Sequence, residues 1–174
     1  AMCAQAMTLN YSPDAIINTG VAGALASELR VGDVAVAENV VQHDMDTSPI
    51  GDPVGLISGI NMVQIPADEK ISSALKKTAT DLGMTCLSGT IASGDQFIAD
   101  KAKKAYIKNT FSAIACEMEG GAIAHVCYVN KVPVCVMRAI SDGGNEDSPM
   151  DYPTFVKMAA ARSADVVCCL LRDM

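Results

Sequence analysis

Two short stretches hold most of the groups able to do chemistry. Glu117-Met118-Glu119 sets two carboxylates between an apolar segment ending at Cys116 and an apolar helix. Carboxylates are costly to bury without partners. Near a helix start they cap backbone amides or sit well on the dipole; fixed in a pocket they accept hydrogen bonds from sugar hydroxyls. Both uses are open from the local pattern. Arg138-Ala139-Ile140-Ser141-Asp142 closes the most apolar run in the chain. A guanidinium inside such a run calls for a carboxylate partner. Asp142, where the backbone leaves the run, suits a turn or helix cap or a general acid, because desolvation favours the neutral, proton-donating form of a carboxyl.

Other groups are less specific. Asn18-Thr19-Gly20-Val21-Ala22-Gly23 reads as a glycine-containing turn leaving a strand, with amides able to approach a ligand, but it has neither the GxGxxG spacing nor a GK[ST] ending. Ser93-Gly94-Asp95 is a second polar turn. His43, in Gln42-His43-Asp44-Met45-Asp46, stands beside carboxylates without metal-ligand spacing and reads as a loop residue making a hydrogen bond. His125 falls inside an apolar helix and reads as a satisfied core residue. The run from Asp142 to Asp147 lacks the ligand order of a calcium loop, and no serine sits in a nucleophile elbow. A carboxylate-based site with no metal and no cofactor is the expectation.

The elements that must position these residues follow from periodicity and punctuation. Residues 1–9 read as the body of a helix, stopped by Ser12-Pro13-Asp14, and Ala15-Ile16-Ile17 as a short buried strand. Residues 33–41 and 87–91 read as strands, with a helix between them started by Asp68 and ended by Gly83. A strand at 114–116 leads into a helix at about 118–130. Residues 132–140 form a strand so continuously apolar that both its faces must be covered. An Ala-rich helix at about 153–171 has Phe155, Met158, Ala159, Val166 and Leu170 as its inward stripe. Alternating strands and helices make one α/β sandwich with a mixed or mostly parallel sheet. Ligands gather at the carboxyl ends of such strands, which is where the four polar clusters fall.

Composition narrows the class further. The 174 residues are half hydrophobic, enough for one domain with apolar surface to spare for a partner subunit. A net charge of −7 argues against a nucleic-acid partner, and Lys101, Lys103 and Lys104 read as a solvated helix face. Seven cysteines, odd in number and without CxxC spacing, read as reduced thiols, several of them in the core, of a cytoplasmic protein. Val166 to Leu171, among the longest apolar runs, is far too short to span a bilayer, and no signal peptide opens the chain. No membrane partner is expected.

Six segments taken together resemble the 5′-methylthioadenosine/S-adenosylhomocysteine nucleosidases of the purine nucleoside phosphorylase superfamily. They are Ile16 to Gly23, Val31 to Val34, His43 to Asp46, Ser93 to Ile98, Cys116 to Gly120, and Val136 to Asp142. The resemblance implies a nucleoside phosphorylase-like, three-layer α/β/α sandwich with a mixed central sheet, one domain over residues 1–174, and hydrolysis that releases adenine. By the same resemblance, Asp142, assisted by Ser141, protonates the adenine. Glu119 binds ribose hydroxyls beside Glu117, Met118 packs on the sugar, and Arg138 lies near the ribose and the attacking water. Phe97 stacks on the base and Ile98 meets its edge. Val21 and Tyr152 lie near the 5′ group, while Thr47 and Ile50 reach a neighbour's pocket across a homodimer interface. The family pattern also places further strands ahead of Ala1, one with a water-activating glutamate that nothing in these residues replaces. A phosphorylase is the nearest rival, disfavoured because residues 18–23 carry no cation for phosphate. A binding module that lacks turnover is the other.

Overall fold

The computed structural model describes residues 1–142 and 152–173, in the second stretch without the side chains of residues 152–156 and 173. The elements run α1 (Met2–Tyr11), β1 (Ile16–Ala24), β2 (Val34–Gln42), a 3₁₀ turn (Ser48–Ile50), β3 (Gln64–Pro66), α2 (Glu69–Asp81) and β4 (Cys86–Ser93). They continue with α3 (Lys101–Phe111), β5 (Ala113–Glu117), α4 (Gly120–Asn130), β6 (Val134–Asp142) and α5 (Tyr152–Asp173). Two helices begin as their sequences dictate. The Asp68 carboxylate accepts from the Ile71 amide at 3.0 Å and the Asp100 carboxylate from the Lys103 amide at 2.8 Å, each capping an otherwise unpaired first turn.

The six strands form a mixed sheet in the order β3-β2-β4-β5-β1-β6. Neighbours β2–β4, β4–β5 and β1–β6 are parallel; β2–β3 and the short β1–β5 contact are antiparallel. The outermost strand β6 also pairs with β2, Val34 opposite Ala139, so the sheet curls back on itself instead of lying open. Side-chain alternation then assigns the layers. Val34, Val36, Cys135 and Met137 meet Leu75 and Ala79 of α2 and Val166 and Leu170 of α5. Ala35, Ala37, Val134 and Val136 turn the other way, into the cluster that includes Ala124 and Cys127 of α4 and Ala4 of α1. Every residue from Val134 to Ser141 is buried, as a doubly covered strand requires.

Several expectations change. Residues 18–23 are not a turn: they belong to β1 and pair with Val136 to Asp142 of β6, with one register shift between Ala22 and Gly23. Gly23 marks a close approach instead. A Cβ on Gly23 would lie 3.0 Å from Asp142 Oδ2, so only a residue without one leaves that carboxylate its place. The basic cluster opens helix α3, yet Lys103 and Lys104 are half-buried instead of fully solvated. His125 is half-buried as well. The strand β3 carried no usable signal, being three residues long and ending in proline. Of the expected α5 stripe, Ala159, Val166 and Leu170 are buried, but Met158 is exposed, and the Phe155 side chain, like the acidic run beyond Asp142, lies outside what is described.

All seven cysteines are free. Burial pushes the Cys116 thiol up to about 11 and the Cys135 thiol up to about 12, so neither supplies thiolate at neutral pH. No described helix is long and apolar enough to cross a membrane. In the native protein at about pH 8, a thiol reagent should label the exposed Cys3 and Cys168 and spare Cys116 and Cys135 until denaturant is added. Mass spectrometry of the labelled peptides checks this.

Candidate active site

Four strand ends converge on one cavity of about 160 Å³. Strand β1 contributes Val21, Ala22 and Gly23; the loop after β4 contributes Gln96, Phe97 and Ile98. The end of β5 and its junction with α4 contribute Cys116, Glu117, Met118 and Glu119, and β6 ends there with Ser141 and Asp142. Three of the four polar clusters singled out by sequence therefore line it, and the fourth, Ser93-Gly94-Asp95, leads directly into Gln96 to Ile98, which do.

Beneath the cavity lies a buried ion pair. Arg138, 1% exposed, directs Nη2 onto Glu117 Oε2 and onto Asn18 Oδ1, the latter at 2.6 Å. Its Nη1 donates to the Asn18 and Met137 carbonyls at 3.2 and 3.1 Å. Glu117 accepts in addition from the Gly120 amide at 2.8 Å and the Glu119 amide at 3.1 Å, so it caps the first turn of α4. Capping and charge pairing use the oxygens of Glu117, leaving Glu119 as the carboxylate free to reach a ligand. The Glu119 side chain is 65% exposed, with Oε2 3.6 Å from Arg138 Nη2.

Asp142 stands at the opposite wall. Its Oδ1 accepts from Ser141 Oγ at 3.0 Å, and its Oδ2 lies 3.8 Å from Lys104 Nζ. Phe97 is 64% exposed at the rim, so a ring face is available to a flat ligand, while Ile98 is buried below it. Of the expected site residues, Val21, Phe97, Ile98, Glu117, Met118, Glu119, Ser141 and Asp142 line the cavity, and Arg138 backs it. Thr47 and Ile50 do not line it. They sit at the 3₁₀ turn, Ile50 81% exposed, and Thr47 Oγ1 donates to Asp52 at 2.8 Å. Tyr152 opens α5, and its side chain lies outside the described residues.

Sequence reasoning missed Gln96, Lys103 and Lys104. Lys103 Nζ donates to Gln96 Oε1, and Lys104 faces Asp142. A signal existed: Lys104, Ile107 and Phe111 share one stripe of α3, and the last two are buried. A lysine on an inward stripe asks for a partner.

His43 departs from its expectation too. It is buried, its Nε2 finds no hydrogen-bond partner among the described residues, and desolvation, ahead of nearby charges, pulls its pKa below 6.5. Asp44 accepts from the Asp95 amide at 2.7 Å, and a Cβ on Gly94 would come 2.5 Å from His43 Nε2. The His43-Asp44 corner thereby braces the loop that carries Gln96 to Ile98. Among the described residues no cluster suited to a metal ion occurs.

Two stability predictions follow from these contacts. Glu117→Leu leaves the Arg138 charge buried without its partner and should cost about 3–5 kcal/mol, read from urea unfolding. For His43 the unfolded state binds the proton more readily, so its contribution is whole above about pH 6.5 and is lost as pH falls below that value. Unfolding midpoints between about pH 8 and about pH 5.5 should fall less steeply in His43→Gln than in the parent.

A family model described as the phosphorylase superfamily matches residues 1–172. An aminodeoxyfutalosine nucleosidase of Campylobacter jejuni is 40% identical over 166 residues, covering 95% of this chain and 72% of that protein. A 5′-methylthioadenosine/S-adenosylhomocysteine nucleosidase of Shewanella pealeana is 40% identical, covering 94% of this chain and 72% of its own. Among solved structures, the Campylobacter jejuni 5′-methylthioadenosine/S-adenosylhomocysteine nucleosidase superposes with a TM-score of 0.93 at 38% identity, covering 99% of this chain and 75% of that one. A Helicobacter pylori aspartate-to-asparagine mutant of such an enzyme, with 5′-methylthioadenosine in its active site, gives 0.92 at 33%, covering 99% and 74%. With a family match over nearly its whole length and a sequence and backbone that both align with theirs, the chain belongs to the phosphorylase superfamily, in the family of 5′-methylthioadenosine/S-adenosylhomocysteine nucleosidases.

Proposed function

We propose that the protein hydrolyses the N-glycosidic bond of adenine nucleosides modified at the 5′ carbon. 5′-Methylthioadenosine and S-adenosylhomocysteine come first and 5′-deoxyadenosine after them, with release of adenine, in the cytoplasm and in methionine salvage. The observation that carries this reading is the Asp142 carboxyl, held by Ser141 at one wall of a cavity whose other wall offers Glu119. A purine leaves poorly as an anion. A proton delivered to its imidazole nitrogen as the C1′–N9 bond breaks makes it a neutral leaving group. Water then adds its oxygen to C1′ and releases a proton to solvent, and Asp142 takes one back from solvent, closing the balance.

The other residues fall into place around that step. Phe97 offers a face to the base, Met118 packs under the ribose, and Glu119, kept near Arg138, accepts from the ribose hydroxyls. Negative charge at Glu119 also suits a ribosyl group turning cationic. Val21, on the cavity wall, and Tyr152, by the family pattern, are assigned to the 5′ substituent. Thr47 and Ile50 reach into the pocket of a second copy in a homodimer, a role that the exposure of Ile50 supports. Phosphorolysis is disfavoured because residues 18–23 hold no cation and Arg138 is already engaged by Glu117 and Asn18. The name of the Campylobacter jejuni relative adds aminodeoxyfutalosine to the candidate substrates.

Adenine release from the three nucleosides in phosphate-free buffer tests the reading, with the 174-residue chain and with a version extended by a relative's leading segment. 5′-Methylthioadenosine should give the highest kcat/KM, and Asp142→Asn should bind it while losing about 10²–10⁴ of turnover. A strict need for phosphate, or full turnover in the Asn variant, overturns it.

A further inference from the structure

Helix α3 lies outside the six segments that carry the resemblance, yet its first turn touches the cavity at two points. Lys103 Nζ donates to Gln96 Oε1 beside Phe97, and Lys104 Nζ lies 3.8 Å from Asp142 Oδ2. The Lys104 side chain is 17% exposed, so most of its stem is packed and its reach is fixed. Among the described residues, Asp142 is the carboxylate within ion-pair distance of it. The two oxygens of Asp142 thus meet different partners. Ser141 Oγ holds Oδ1 at 3.0 Å, and Oδ2 is set between Lys104 and the space that Gly23 leaves open.

We propose that Lys104 is a positioning residue for proton donation by Asp142, an inference that rests on the hydrolytic reading above. The carboxyl can rotate about its Cβ–Cγ bond. Ser141 alone fixes one oxygen, and an ammonium on the far side fixes the plane. The charges also agree with the order of events. When Asp142 gives its proton to the departing purine, a carboxylate forms, and a cation already in place stabilises it without any solvent having to reorganise. Arg138 is committed elsewhere, because Glu117 and Asn18 hold its Nη2. The cavity therefore carries two separate ion pairs, one under the sugar-binding carboxylate and one behind the acid.

Steady-state kinetics of Lys104→Met and Lys104→Arg in the active protein test this, with Asp142→Asn run in parallel. On 5′-methylthioadenosine, Lys104→Met should lower kcat by about ten- to a hundred-fold with KM changed by less than about two-fold. Lys104→Arg should restore most of the rate. The loss should shrink on a 4-nitrophenyl riboside, whose phenolate leaves without a proton. A merely structural defect would lower both substrates alike. An unchanged kcat in Lys104→Met, equal losses on both substrates, or no rescue by arginine each overturn the inference. If Asp142→Asn loses turnover while Lys104→Met keeps it, only Lys104 is misassigned. If Asp142→Asn keeps turnover, the hydrolytic reading falls first and Lys104 with it.

Discussion

The buried pairing of Arg138 with Glu117 is the constraint around which the cavity is arranged. A guanidinium in the middle of a fully covered strand is tolerable only where its charge and donors are met. Meeting the charge and the Nη donors takes three strands at once: β6 supplies the arginine, β1 the side chain and carbonyl of Asn18, and β5 the glutamate, while Nε finds no partner among the described residues. Glu117 then spends its remaining acceptor capacity on the Glu119 and Gly120 amides, which fixes where α4 begins. The strand ends and the helix start are thereby set relative to each other by polar groups. Hydrophobic packing alone, which tolerates sliding, would leave their register looser.

That arrangement separates the charges that the chemistry requires. Three carboxylates border the cavity, and two of them, Glu117 and Glu119, share Arg138. Asp142 stands apart, held by Ser141 and faced by Lys104. A group that must exchange a proton and a group that must stay an acceptor have different needs. Placing them on opposite walls, each with its own cation, meets both needs within one small space.

How far the sequence disclosed this depended on what signalled each feature. Strand β6 was legible because burial on both faces leaves an unbroken apolar run, and the arginine within it announced a carboxylate partner. Helix α2 was legible from Asp68 and its amphipathic spacing. The segment 18–23 misled because glycines ordinarily mark turns. Here they remain in a strand, and at Gly23 the neighbouring Asp142 carboxylate takes up the room a side chain would need. Choosing between helix cap and sugar acceptor for Glu117 and Glu119 needed three dimensions, since both residues lie at the same helix start and only geometry divides them. Lys104 escaped because a lysine beside other lysines looks solvated, although its stripe with Ile107 and Phe111 points inward.

The outer parts of the site obey a different logic. The floor is made of strand ends locked by backbone pairing, whereas Phe97 is exposed at the rim and Ile50 on a 3₁₀ turn. Both rim segments meet at one corner: His43 and Asp44 lead from β2 toward Thr47 and Ile50, and the same two residues press on Gly94 and hold the Asp95 amide. A buried imidazole with an unpaired nitrogen is a poor choice for stability. It is a good choice for a corner that must be filled closely while keeping two loops in fixed relation. A substitution at the rim can therefore retune which 5′ group is accepted without disturbing the ion pair beneath. A substitution at the floor alters the acid, the sugar contact and the start of α4 together.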